Sequence, residues 1–165
     1  MIAILISTMT LFSCSLGSST TNQESPVEPP ADDKYSKGLE YRLNYDSKSY
    51  SVSGIGTCTD TDIVIPSIYN GFPVISISSS AFRGCTSLTS VEIPDSVRSI
   101  GMHAFAECTS LTSIVIPDSV TSIAFNAFFD CTSLTIYCEA TSKPSGWDAH
   151  WNYYGGIVIW GYKGN

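Results

Sequence analysis

Residues Cys85 to Glu107 read CTSLTSVEIPDSVRSIGMHAFAE, and Cys108 to Asp130 read CTSLTSIVIPDSVTSIAFNAFFD, two copies of one 23-residue unit with 15 identical positions. A tandem unit this short cannot bury a core alone and must stack on its neighbours, so the chain is expected to be a solenoid. A third copy opens at Cys131 with CTSLT and then departs, while Ser76 to Gly84 (SISSSAFRG) supplies the back half of a copy before the first. The sequence therefore predicts about three coils.

The two full copies act as controls for each other. Positions kept, or exchanged only between aliphatics, are Leu88/Leu111, Val91/Ile114, Ile93/Ile116, Val97/Val120, Ile100/Ile123, Ala104/Ala127, Phe105/Phe128 and Cys108/Cys131. All are apolar or small, which assigns them to an inward column. Positions that change freely are Glu92/Val115, Arg98/Thr121, Gly101/Ala124, Met102/Phe125, His103/Asn126 and Ala106/Phe129, and these are expected to face outward. The apolar spacing is too short-ranged for a long helix. Leu88 to Ile93 and Leu111 to Ile116 read as strands rich in Thr, Val and Ile. Pro94-Asp95-Ser96 and Pro117-Asp118-Ser119 read as turns. Val97 to Ile100 and Val120 to Ile123 read as second, shorter strands, and Met102 to Glu107 leaves room for about one helical or 3₁₀ turn.

The resulting string, C-x-x-L-x-x-I-x-I-P-x-x-V-x-x-I-x-x-x-A-F-x-x-C, resembles the 23-residue leucine-rich repeat of the BspA type, found in bacterial surface proteins and some parasitic protists. The resemblance covers about residues 63–140, with flanking segments that also look like those beside such arrays. It implies a mostly β fold: a right-handed, mostly parallel leucine-rich-repeat solenoid. It also implies adhesion or host-protein binding, as in some members. Ser78 and Ala124 stand where the unit has Gly101, which places a question on the turn geometry there.

On either side the composition shifts. Residues 1–13, MIAILISTMTLFS, are apolar but too short for a bilayer span of about 20 residues. With Cys14 next, they look like a bacterial lipoprotein signal, in which Cys14 would be acylated and become the mature N-terminus. Residues 14–37 are polar and Pro-rich and read as a flexible tether. Residues 38–62 contain two alternating segments around Asp46-Ser47-Lys48 and read as a β-hairpin capping the first coil. Residues 141–165 hold Trp147, Trp151, Tyr153, Tyr154, Trp160 and Tyr162 and read as an aromatic cap at the other end.

Little in the chain speaks for chemistry. Charged residues make up 14% of the sequence, the net charge is −7, and Arg98 is the sole cation between Cys85 and Leu134. Nucleic acid, which requires clustered Lys and Arg, is not an expected partner. Of six cysteines, Cys85, Cys108 and Cys131 recur at the repeat period. A line of thiols is not a tetrahedral metal site, so they are expected to be buried free fillers, with Cys58 and Cys138 unassigned. His103 occupies a slot filled by Ser80 and Asn126, which marks a polar position, and His150 falls in the aromatic segment. Asp60-Thr61-Asp62 lacks the further carboxylates of a calcium loop. No catalytic motif, metal site or cofactor is expected. The expectation is a non-enzymatic, lipid-anchored surface protein whose partner is an extracellular or host protein. Its contact patch would be Met102, Phe125 and Phe129. The alternatives are glycan binding on the C-terminal aromatics, or a structural surface protein without a dedicated ligand. Three coils present only a few hundred Å², against roughly 800 Å² per partner in a standard interface, so many anchored copies would have to act together.

Overall fold

The computed structural model of the chain describes residues 34–164. The apolar N-terminus, Cys14 and most of the tether lie outside the described residues. Among the described residues there are eleven strands and no helix. They are β1 Glu40–Leu43, β2 Tyr50–Gly54, β3 Asp62–Val64, β4 Ile68–Tyr69, β5 Phe72–Ile77, β6 Ser90–Glu92, β7 Ser99–Ile100, β8 Ser113–Ile116, β9 Ser122–Ile123, β10 Thr135–Cys138 and β11 Ile157–Trp160.

Each turn of the chain lays one strand on each of two sheets. The first sheet runs β1-β2-β5-β7-β9, with β4 paired to β5, and the second runs β11-β10-β8-β6-β3. Apart from the antiparallel β1–β2 and β4–β5 pairs, the strands are parallel, and beyond a register shift between Tyr50 and Ser51 of β2 they are in register, as Ser99 opposite Ser122 and Ile136 opposite Ile114 illustrate. The coil count exceeds expectation: five rungs, not three. The second strand of the expected N-terminal hairpin, β2, pairs in parallel with β5 and is itself part of the first rung. At the other end the aromatic segment is a complete fifth coil. Trp147 bridges Ile123, the Asn126 and Phe128 amides donate to the His150 and Trp151 carbonyls (3.0 and 3.3 Å), and β11 pairs with β10.

All sixteen residues assigned to the inward column are buried. The repeat's turns follow from its sequence. The Val97 and Val120 amides each donate to the proline carbonyl three residues back, at 3.0 Å in both coils. Pro94 and Pro117 are suited to this because their rings fix φ. Phe82, Phe105 and Phe128 stack in a ladder, with centroids 5.2 and 5.3 Å apart and planes within 6°. Trp151 ends the ladder edge-on, at 5.8 Å and 87°. Trp147 is buried beside it and donates its indole N–H to the Val120 carbonyl at 3.0 Å. These two tryptophans therefore close the core at its C-terminal end.

The helical or 3₁₀ turn expected between Met102 and Glu107 is a run of separate i→i+3 turns and not a continuous helix, with the Ala104, Ala106 and Cys108 amides donating to the carbonyls of Gly101, His103 and Phe105 (3.3, 3.1 and 3.3 Å). Its cause is a pair of left-handed residues, His103 (φ 56°) and Glu107 (φ 64°), which no right-handed helix can contain. The pair recurs as Ser80 and Gly84 one coil earlier, and as Asn126 and Asp130 one coil later. Substitution of the repeat glycine leaves the next bend intact: the amides of Ser78, Gly101 and Ala124 all donate to the coil before, at 2.8 to 2.9 Å.

Candidate functional site

The double bend sets what the surface displays. Between its two left-handed residues, the Ala-Phe pair turns inward and is buried in each coil. The residue just before the first bend is left outside: Met102 is 46% exposed and Phe125 43%. Two expectations for this segment are corrected. Ala106 is buried because its stretch is held on both sides, with the Gly84 amide donating to its carbonyl and the Glu107 amide donating to Phe129 (both 2.8 Å). Asn126 is also buried, its amide bonded to His150 of the fifth coil. Exchange between copies marked these slots as variable, but variability there reflects a tolerant bend, not exposure.

Around Phe125 the side chains join into a ridge. Its ring meets His103 at 6.2 Å and His150 at 6.0 Å, both edge-on. His150 meets Tyr153 at 5.7 Å, Tyr153 lies 4.3 Å from Tyr154, and Tyr154 meets Phe129 at 6.2 Å. Of the three residues expected to form a patch, Met102 and Phe125 are exposed, while Phe129 is half-buried beneath Tyr154. Tyr153, Tyr154 and His150 were not foreseen on this edge. No repeat period points to them, since the fifth coil has lost the repeat's sequence.

Elsewhere the N-terminal half carries rows of hydroxyls beside a second ring cluster, in which Tyr69 stacks on Tyr41 at 3.9 Å, Tyr50 meets Tyr69 at 5.0 Å and Phe72 at 6.5 Å, and Ile68 and Phe72 are exposed. Ser76, Ser99 and Ser122 form a row on the first sheet, with the Ser76 hydroxyl 2.5 Å from that of Ser51. On the second sheet, Asp62 accepts hydrogen bonds from the hydroxyls of Ser90 (2.6 Å) and Thr89 (2.8 Å). Those bonds hold its carboxyl below the usual range and leave it tying β3 to β6. The same face turns apolar toward β11, where Tyr137 packs on Tyr162 at 4.9 Å and Ile157 is 70% exposed.

The thiols follow expectation with one exception. Cys108 and Cys131 are buried, and each donates its S–H to the phenylalanine carbonyl one coil earlier, Phe82 at 3.0 Å and Phe105 at 2.9 Å. Cys85 is only half-buried, because the coil before it has no Ala-Phe bend to cover it. Cys58 is half-exposed and Cys138 buried; both are free thiols. Burial pushes the Cys138 thiol up to about 12. Among the described residues, no three His, Cys, Asp or Glu side chains are grouped to hold a metal ion, and no helix is long and apolar enough to cross a membrane.

A cleft of about 250 Å³ opens at the end of the fifth coil, lined by His150, Trp151, Asn152, Tyr153, Val158 and Trp160. It continues from the ridge onto the open end of the solenoid.

None of the curated proteins matches the chain. Among solved structures, it is similar to the leucine-rich repeat protein of T. pallidum, with 30% identity and a TM-score of 0.57 over 79% of this chain and 64% of that one. It is also similar to a leucine rich cell surface protein of Faecalibacterium prausnitzii A2-165, with 26% identity and a TM-score of 0.58, covering 74% of this chain and 41% of the other. A leucine-rich repeat protein of Bacteroides ovatus is 27% identical, with a TM-score of 0.55, over 77% and 37%. The chain thus spans less than two thirds of the length of each of these structures. Residues 57–142, more than half of the chain, match six copies of the BspA type leucine rich repeat region, and the chain belongs to that family.

Proposed function

We propose that this protein is a non-catalytic binding module displayed at the cell surface, which contacts an extracellular or host protein through the ridge centred on Phe125. The observation that carries this reading is the unbroken run of ring contacts from His103 to Phe129, six rings along one edge of the solenoid that lead into the cleft at its open end. Exposed aromatics gathered on one edge are the side chains that dominate protein interfaces. Display on the surface is supported by the F. prausnitzii neighbour, itself a cell surface protein, and by the string LFSC ending at Cys14. In this reading Cys14 carries the lipid, and residues 15–37 lift the solenoid from the membrane.

Glycan stacking is the weaker alternative, because Trp147 and Trp151 are buried in the core and leave Tyr153 and Tyr154 as the exposed rings. A glycan array separates that class from protein binding. The third reading is a surface protein without a dedicated ligand, for which no matrix or cell-surface protein is retained.

Two experiments test the proposal. Cells carrying wild-type or Cys14→Ser protein are labelled with a lipid analogue and then treated intact with protease. Label that vanishes with Cys14→Ser, on a domain that protease removes, is the expected result; an unlabelled, protected protein overturns surface display. Purified protein is then tested on immobilised extracellular-matrix and cell-surface proteins. Phe125→Ser with Tyr154→Ser is expected to lower retention at least tenfold, and unchanged retention excludes the ridge.

A further inference from the structure

The two main ladders, leaving aside the two-residue β4 that pairs with β5 off the first, have four outermost edges, and three of them are covered or blunted. At the N-terminal end of the first sheet, β1 is short, carries Glu40 and Arg42, and is bulged between Glu40 and Tyr41. The same sheet's other edge, β9, is bridged by Trp147, and the Asp148 amide donates to the Ile123 carbonyl at 2.8 Å. The second sheet starts at β3, where Ser36 donates its amide to the Val64 carbonyl (3.1 Å) and its hydroxyl accepts from the Val64 amide (3.0 Å). These are the usual devices that prevent sheets from joining edge to edge.

The fourth edge, β11, is as short as β1 but has none of the other devices. Ile157, Val158, Ile159 and Trp160 carry no charge, no proline and no bulge. The Ile157 amide donates to Leu134 on the β10 side (2.9 Å), so the alternation of a parallel ladder turns the amides and carbonyls of Val158 and Trp160 to the open side. Outside that edge Ile157 is 70% and Ile159 41% exposed, and Val158 and Trp160 line the cleft at the solenoid's end.

We infer that β11 is a self-association edge, and that its occupant is the β11 strand of a second copy, paired antiparallel across a two-fold axis. The donor and acceptor pattern selects the register. A pairing centred on Ile159 places Val158 opposite the partner's Trp160, and Trp160 opposite the partner's Val158, so all the outward amides and carbonyls of both strands are satisfied within β11. Centring on Val158 or Trp160 instead leaves groups that need residues beyond the strand. The axis then lies perpendicular to the sheet, so inner faces adjoin inner faces. Val158 and Trp160 of each copy complete the other's half-open core, and Ile159 packs on its own counterpart outside. A self-complementary patch of this kind closes as a dimer and does not propagate. The chain's own residues 26–30 are a poorer occupant, because Pro26, Pro29 and Pro30 lack the amides that a ladder needs.

The test is sedimentation of the full chain over a micromolar to millimolar series, in mild detergent so that the apolar N-terminus is equally shielded in every sample. Wild type is expected to move from the monomer mass toward twice that mass. Ile159→Lys and Ile159→Glu, each placing like charges across the axis, are expected to stay monomeric while melting as wild type does. Their equimolar mixture is expected to regain the dimer. A wild type that stays monomeric, as it would if a foreign strand were the occupant, overturns the inference. So does a dimer that survives Ile159→Lys, or a mixture that remains monomeric. If either variant fails to melt as wild type does, amide exchange in wild type decides. The Val158 and Trp160 amides must exchange more slowly as concentration rises, and concentration-independent exchange at both overturns the proposal.

Discussion

Cys138 shows what a buried thiol does to this solenoid. It is fully buried on β10, and burial alone pushes it up to about 12, from an ordinary value near 9. A folded-state value above the unfolded one means that its contribution is complete below about pH 9, and that stability is lost as pH rises from 9 toward 12, because only the unfolded thiol ionises there. The melting temperature is therefore expected to fall across that window. Cys138→Ala should start lower, by about 1 to 2 kcal/mol for the small cavity, yet show a flatter fall; equal slopes in thermal melts would contradict this account. Residue by residue, the inward column was readable because two copies in one chain separate packing from exposure. Ala106 and Asn126 escaped that logic. Both lie in or beside the left-handed bend, where the backbone, and not the core, decides what the side chain meets.

The phenylalanine ladder is the element that joins the coils. Phe105 stacks on Phe82 at 5.2 Å and on Phe128 at 5.3 Å, whereas Phe82 has one ring neighbour in the ladder. Replacing a buried phenylalanine by alanine costs about 3 to 5 kcal/mol, and each lost ring pair adds about 0.5 to 1.5. Phe105→Ala is thus expected to be costlier than Phe82→Ala by about 1 kcal/mol in urea unfolding, and the reverse order would remove the ladder as the coupling element. The strands and proline turns of the repeat were legible from β-branched alternation and Pro-Asp-Ser. The bend after them was not, since Met102 to Glu107 has helix-compatible composition and its conformation is set by residues at 103 and 107 that also occur in helices. One signal was passed over. Asn70-Gly71 between β4 and β5, with φ of 48° and 78°, is a two-residue hairpin turn of the kind such a dipeptide favours.

A stack in which each coil touches only its neighbours is as stable as its ends allow, and here the C-terminal end is a coil without the repeat's sequence. The number of coils was underread for that reason. Trp147 stands at the rung position beside Ile123, Trp151 packs at the end of the phenylalanine ladder, and β11 supplies the second strand, all with tryptophans where the repeat has aliphatics and phenylalanine. Larger rings suit a last layer, since one face has no further coil to fill it. The candidate ridge inherits the same ambiguity: Phe125 was visible from the repeat, but Tyr153 and Tyr154 reach it only through the fifth coil's path. If that coil is part of the folding unit and not an appendage, removing residues 144–165 strips Phe128 of Trp151. It also leaves the amides of Asn126 and Phe128 without His150 and Trp151, and the Val120 carbonyl without the Trp147 indole. Three lost hydrogen bonds at about 0.5 to 1.5 kcal/mol each, together with the loss of buried Trp147 and Trp151 at about 3 to 5 kcal/mol each, reach the roughly 5 to 15 kcal/mol expected of a domain this size. The shortened chain is therefore expected to lose cooperative melting altogether. Trp151→Phe, which keeps the backbone bonds and most of the ring, should cost no more than about 2 kcal/mol. A shortened chain that still melts sharply would show that the repeats from β2 to β10 hold their fold without the aromatic coil.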